Sequence, residues 1–288
     1  MNRQKLAYAY AILAVLLWST VASAFKLTLR YLDVISMLFF ASLASLVLLF
    51  GILIAQGKLL LLTRYSRQDY LYSLLLGVLN PFFYYIVLFK AYSLLPAQEA
   101  QPLNQMWALI LPLFSVMFLR QAIRLKSIFA LVVSFLGVLV IVTHGNPFSL
   151  SFSCPIGSLL AIGSAFIWAL FWVSNLRDTR EEVSKLFLNF LFGFFYIAVA
   201  LLIQGEFLVP PLWGLVGAVY VGFFEMGITF IFWMKALQLS ETTAKITNII
   251  YFVPFLSFMI ITITVGEVIL WSSIIGLVFI IGGNMLQQ

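Results

Sequence analysis

Ten continuous apolar runs dominate the chain, at residues 6–25, 34–55, 70–90, 98–119, 127–143, 157–175, 186–203, 212–234, 243–264 and 268–286. About 20 mostly apolar residues suffice for a helix to cross the hydrocarbon core of a bilayer. Barrel strands would instead alternate polar and apolar residues over about ten positions. The pattern predicts an all-α membrane protein with ten transmembrane helices. Composition agrees: 64% of the 288 residues are hydrophobic and only 9% are charged, against about 25% charged in soluble domains.

The charges give an orientation. Of the sixteen Lys and Arg, thirteen fall on one side of the ten runs: Arg3, Lys5, Lys58, Arg64, Arg67, Arg120, Arg124, Lys126, Arg177, Arg180, Lys185, Lys235 and Lys245. Only Lys26, Arg30 and Lys90 fall on the other. Short loops rich in Lys and Arg stay cytoplasmic, so both termini are expected in the cytoplasm of a multi-pass inner (plasma) membrane protein. The net charge of +6 is thus an orientation signal, and no nucleic-acid partner is expected. The first run, with Arg3 and Lys5 before it and Ala22-Ser23-Ala24 near its end, imitates a signal peptide. It is read as a retained helix because an internal segment matches it.

That match belongs to an internal repeat. Gln56-Gly57 ends the second run and Gln204-Gly205 the seventh, an offset of 148. Ser36, Leu38, Phe39, Leu43 and Leu53 meet Ser184, Leu186, Phe187, Leu191 and Leu201 at the same offset. Trp18 meets Trp168 at 150, Gly77 and Lys90-Ala91 meet Gly222 and Lys235-Ala236 at 145, and Gly137 meets Gly283 at 146. Residues 1–145 and 146–288 are therefore expected to be two five-helix repeats forming one transport unit. An odd helix count makes the second repeat enter the membrane from the opposite face. Inverted repeats of this kind mark many secondary transporters, with substrate near the midplane where the halves meet.

Chemistry-bearing residues are few. Cys154 is the only cysteine and His144 the only histidine, so neither a disulfide within the chain nor a His-rich metal site is expected; His144, beside Gly145 and Asn146, reads as a turn residue. No GxxxxGK[ST], HExxH or GxSxG motif occurs. The chain is expected to be no enzyme, with no catalytic residues, metal or cofactor. Energy would come from an ion or substrate gradient.

Glu225 stands out. A carboxylate at mid-depth costs about 2.5–3.5 kcal/mol on insertion scales, too much to leave facing lipid. Gly214, Ala218, Gly222, Glu225, Thr229 and Trp233 fall at helical spacing on one small and polar stripe. Glu225 is a candidate substrate or coupling site, with protons as the candidate coupling ion; the alternative is a structural tie between helices. At offset 145 its mate is Asn80, followed by Pro81, which removes a backbone donor. The two are expected at equivalent depths facing a central pore, and Asn80 could equally cap the Pro81 kink. Trp18, Trp168 and Tyr84 lie away from the interfacial belts that collect aromatics. Asn104 with Trp107, and Asn248 with Tyr251, each lie one turn apart and could present an amide and a ring to the same cavity. The bland reading of each is packing.

The whole chain resembles the drug/metabolite transporter superfamily in its ten-helix EamA-like branch. Trp18, Trp168, Phe232-Trp233-Met234-Lys235-Ala236-Leu237, Thr242-Thr243-Ala244-Lys245, Pro254 and Gly266-Glu267 carry the resemblance. The stretch Gln101-Pro102-Leu103-Asn104-Gln105-Met106-Trp107 is similar to bacterial members near the aromatic-amino-acid exporters. Ala108 stands where the family often has Pro, and Gln121 where it often has Glu. The resemblance implies a metabolite carrier, commonly an exporter, with a cavity between the repeats. An amino acid or amphipathic amine would suit one buried acid and aromatic walls. The alternatives are a lipid-linked substrate flippase, for which Lys26 and Arg30 are the only headgroup bases on their side, and a structural membrane protein.

Overall fold

The computed structural model of the chain describes residues 3–107, 110, 114, 125–146, 154–205, 209–240 and 248–287. The regular structure among these residues is helical, and they contain no strand. The helices are α1 (Arg3–Thr28), α2 (Val34–Ala55), α3 (Leu59–Leu62), α4 (Arg67–Gly77), α5 (Tyr84–Leu94), α6 (Ala97–Asn104) and α7 (Leu125–Val142), then α8 (Pro155–Arg177), α9 (Glu182–Gln204), α10 (Leu212–Phe224), α11 (Ile228–Leu239), α12 (Phe252–Thr264) and α13 (Trp271–Gln287). Six segments among the described residues are long and apolar enough to cross a membrane: Arg3–Thr28, Val34–Ala55, Arg67–Leu94, Pro155–Asn175, Glu182–Gln204 and Leu212–Ala236. Shorter apolar helices occupy Val132–Val142, Phe252–Thr264 and Trp271–Gly283. The chain is an all-α membrane protein.

Helix ends follow local chemistry. Asp33 caps α2 by accepting from the Ile35 and Ser36 amides, and Ser66 with Asp69 forms a capping box on α4. Helices α2 and α9 both stop at the repeated Gln-Gly, where Gly57 and Gly205 take φ of 65° and 75°. Left-handed backbone of this kind is open to glycine and ends helices cleanly.

The repeat is visible in the packing. Helix α1 packs on α10, α11 and α12, while its mate α8 packs on α5, the turn before it, and α6. Helices α2 and α9 pack on each other, α2 also on α10 and α9 also on α4; α7 packs on α13. Exchanging the halves thus reproduces these contacts. Two glycines show it at atomic scale. A Cβ on Gly77 would lie 2.6 Å from Asn189 O, 2.8 Å from Gly193 N and 3.2 Å from Phe192 Cβ. A Cβ on Gly222 would meet Ala41 O, Ser45 N and Ala44 Cβ. Those partners are repeat mates at the same offset of 148 found in the sequence. Small residues let backbones approach where no hydrophobic force drives helices together.

Two spans are broken near their middle, at equivalent positions. Between α4 and α5 the chain makes a π-turn over Val78–Phe83, with Asn80 extended at φ −149°, ψ 122° and Pro81 after it. Between α10 and α11, Glu225–Gly227 form a turn, with Gly227 at φ −122°, ψ −95°. Freed carbonyls inside a bundle need donors. At the second break Ser45 Oγ donates to Met226 O over 3.0 Å, and Thr229 Oγ1 donates to Phe224 O.

Candidate substrate cavity

A cavity lined by residues of both halves lies between them. Helices α1, α5, α6, α8 and α12 supply its walls, together with Glu225 and Trp233 from the broken α10–α11 span. The break explains how an acid comes to face it. Glu225 caps the end of α10, and the stripe it belongs to is buried throughout, from Gly214 to Trp233. Tyr85 donates its hydroxyl proton to Glu225 Oε1 over 3.1 Å, and Trp18 lines the same cavity as the carboxyl.

The aromatic walls form one connected group. Tyr84 stacks on Trp168 with ring centroids 4.4 Å apart, and Trp18 packs on Trp233 at 5.6 Å. Trp172 stacks on Phe230 at an interplanar angle of 6°. Trp172 also lines a second cavity beside Asn175, Lys185 and Met234. That vestibule lies toward the end of the molecule that carries Arg177 and Arg180, with Trp172 between it and the central cavity.

Helix α6 is held by residues distant in sequence. Glu267 accepts from the Ala97 and Gln98 amides over 2.9 and 3.2 Å, placing a carboxylate at a helix N-terminus, where it is favoured. The Gln98 side chain bonds Val268 O and the Leu270 amide in turn. Glu99 Oε1 lies 2.9 Å from His144 Nε2, so the only histidine, in a turn with φ of 50°, also anchors this helix. These ties aim Gln101, Asn104 and Gln105 inward.

Of the residues singled out from sequence, Glu225, Trp18, Trp168, Tyr84, Asn104 and Trp107 line the cavity together. Asn104 is itself satisfied, donating to Ser164 Oγ at 2.8 Å and accepting from Tyr84 at 3.5 Å. Asn80 is not among the lining residues; it is fully buried in the turn that packs on α8 and α9. The side chains of Asn248 and Tyr251 lie outside the described residues, although their backbone forms a short 3-10 turn before α12. Ala108, Gln121 and Thr242-Thr243-Ala244-Lys245 also lie outside them. Gln101, Gln105, Trp172 and Trp233 were not singled out as site residues, yet they line the cavity. The spacing of Gln101, Asn104 and Gln105 on one helical face of an apolar run is the sequence signal that could have found the glutamines.

Repeated halves, broken spans and a lined cavity between them define a multi-pass, two-repeat helical membrane protein. The chain belongs to the EamA-like transporter family, whose sequence profile matches residues 5–143 and again 155–286. It is 25% identical over 184 residues to an uncharacterized transporter from Clostridium kluyveri, a match covering 60% of this chain and 58% of that relative. The match therefore spans little more than half the relative's length. One crystal structure superposes with a TM-score of 0.68 at 20% identity, covering 97% of this chain and 95% of the other; that likeness is one of fold.

Proposed function

We propose that the chain is a secondary transporter of the inner (plasma) membrane that moves a small organic metabolite bearing an ammonium group, in the direction of export. The observation that carries this is Glu225 at a break in a membrane span, facing a cavity walled by tryptophan and tyrosine. A carboxylate among ring faces suits a cation with an apolar body. Residues 1–145 and 146–288 act as one unit, rocking about the cavity in alternating access. The doubled family match and the exchanged packing support this division. Both termini are cytoplasmic, following the distribution of Lys and Arg.

The bases that a lipid-headgroup site would use are engaged within the protein, which favours soluble cargo over lipid flipping. Lys26 Nζ donates to Tyr92 O and Leu95 O over 2.9 and 2.8 Å, and Arg30 donates to Val265 O. Protons are the coupling ion, carried by Glu225, and no cofactor takes part. Purified protein in liposomes preloaded with a panel of amines and amino acids tests the proposal. Protein-dependent efflux of an amine is expected; flux equal to that of empty liposomes for the whole panel would refute it.

A further inference from the structure

The central cavity carries a second set of polar groups besides Glu225. Gln101 Oε1, Gln105 Nε2 and Trp172 Nε1 are buried with no hydrogen-bond partner in the protein. Their residues are only 7%, 6% and 9% exposed, and all three line the cavity. A buried donor or acceptor left unpaired is costly, so such groups need an explanation. Other buried polar groups without a partner, such as those of Asn80 and Asn189, belong to residues that do not line the cavity; these three share its wall, where Asn104 beside them has both ends of its amide engaged. The indole can only donate, and a glutamine amide both donates and accepts.

Charge narrows the choice. No Lys, Arg or His lines the cavity among the described residues. Lys26, next to the lining residue Phe25, has its ammonium engaged by two backbone carbonyls. A carboxylate on the cargo would be buried near Glu225 without a base, a strongly unfavourable arrangement. A neutral group that accepts from Trp172 and exchanges hydrogen bonds with the two glutamines would satisfy all three.

Building on the transport role proposed above, we infer that the cargo is a monocation whose second polar group is uncharged and hydrogen-bonding, of the carboxamide kind. Gln101, Gln105 and Trp172 are its specificity-determining residues, and a zwitterionic amino acid is rejected. The ammonium sits with Glu225 among the rings, and the amide sits with α6 and α8.

Three near-isosteric probes separate the possibilities: 4-(aminomethyl)benzamide, 4-(aminomethyl)benzoate and 4-methylbenzylamine. Binding to the detergent-purified full chain at pH 7 is read from its tryptophan fluorescence, because Trp18, Trp107, Trp168, Trp172 and Trp233 surround the cavity. The benzamide is expected to bind at least tenfold tighter than the benzoate and several-fold tighter than the methyl compound. Gln101→Leu and Gln105→Leu should each shrink the benzamide preference over the methyl compound toward unity. Correct folding of each variant is checked by its elution profile and melting midpoint. Benzoate binding as tight as benzamide, an unchanged preference in both folded glutamine variants, or no binding of any probe overturns the inference. Benzamide binding without flux in liposomes would leave it standing and sink the transport proposal instead.

Discussion

Tyr85 and Glu225 meet over 3.1 Å, joining one broken span to the other across the two repeats. Tyr85 is fully buried and packs on Phe89 and Tyr84, so its hydroxyl is held toward the acid. Tyr85→Phe keeps the ring and removes the donor. A hydrogen bond to a charged group contributes about 1.5–3 kcal/mol. If the acid is oriented by this bond, cargo flux should fall about tenfold or more while the protein still elutes as a single species. Wild-type flux in Tyr85→Phe would show that Tyr85 does not orient the acid.

The paired glycine contacts make a symmetric prediction about stability. Gly77→Ala and Gly222→Ala each place a methyl against a facing backbone, and such overpacking costs about 1–3 kcal/mol. Gly51, one turn before the end of α2, has nothing within 4 Å of its would-be Cβ. Gly51→Ala should gain up to about 1 kcal/mol from helix propensity. Melting midpoints followed by size-exclusion fluorescence should drop for the first two variants and hold or rise for the third.

Outside the spans, Asp178 and Arg180 form a buried ion pair at 2.6 Å. Burial pushes the Asp178 carboxyl up, but hydrogen bonds and charge from Arg180 override it and hold the carboxyl below its usual range. A lowered carboxyl contributes stability that is present above its unfolded pKa, about 3.9, and is lost as pH falls through its folded value. The contribution is therefore full at neutral pH and disappears only in acid. Arg180→Met removes one partner of a buried pair and should cost about 3–5 kcal/mol near pH 7. Its stability should lose less than wild type does as pH is lowered below 4. Parallel pH curves for the two proteins would count against the pair.

Much of this architecture is legible in the sequence because a bilayer demands it. Run length and the repeat offset identify the helices and the matching halves, and the stripe through Gly222 and Glu225 shows which face of that segment is buried. The site is less legible. Asn80 and Glu225 share an offset and a helix break, yet only Glu225 lines the cavity. Rotation around a kinked helix depends on its neighbours, and the repeat offset does not encode it. The shared face of Gln101, Asn104 and Gln105 is legible in their spacing, but its direction is not: Glu267, 166 residues after Gln101, holds the first turn of their helix.

Orientation gives a fourth prediction. Reporter fusions at the two ends and within residues 58–67 and 120–126 should report the cytoplasm, and fusions within residues 144–156 the outside. A fusion within residues 144–156 that reports the cytoplasm would contradict the inverted arrangement.

The most direct test of the account compares the pH response of cargo flux in liposomes containing wild type or Glu225→Gln. Glutamine keeps the size and hydrogen-bonding capacity of the acid and removes its proton exchange. The account predicts wild-type flux driven by an imposed pH gradient, and a folded Glu225→Gln protein whose flux no longer responds to that gradient. A Glu225→Gln protein that transports at the wild-type rate with the wild-type pH response would contradict it, leaving Glu225 as a structural tie between helices.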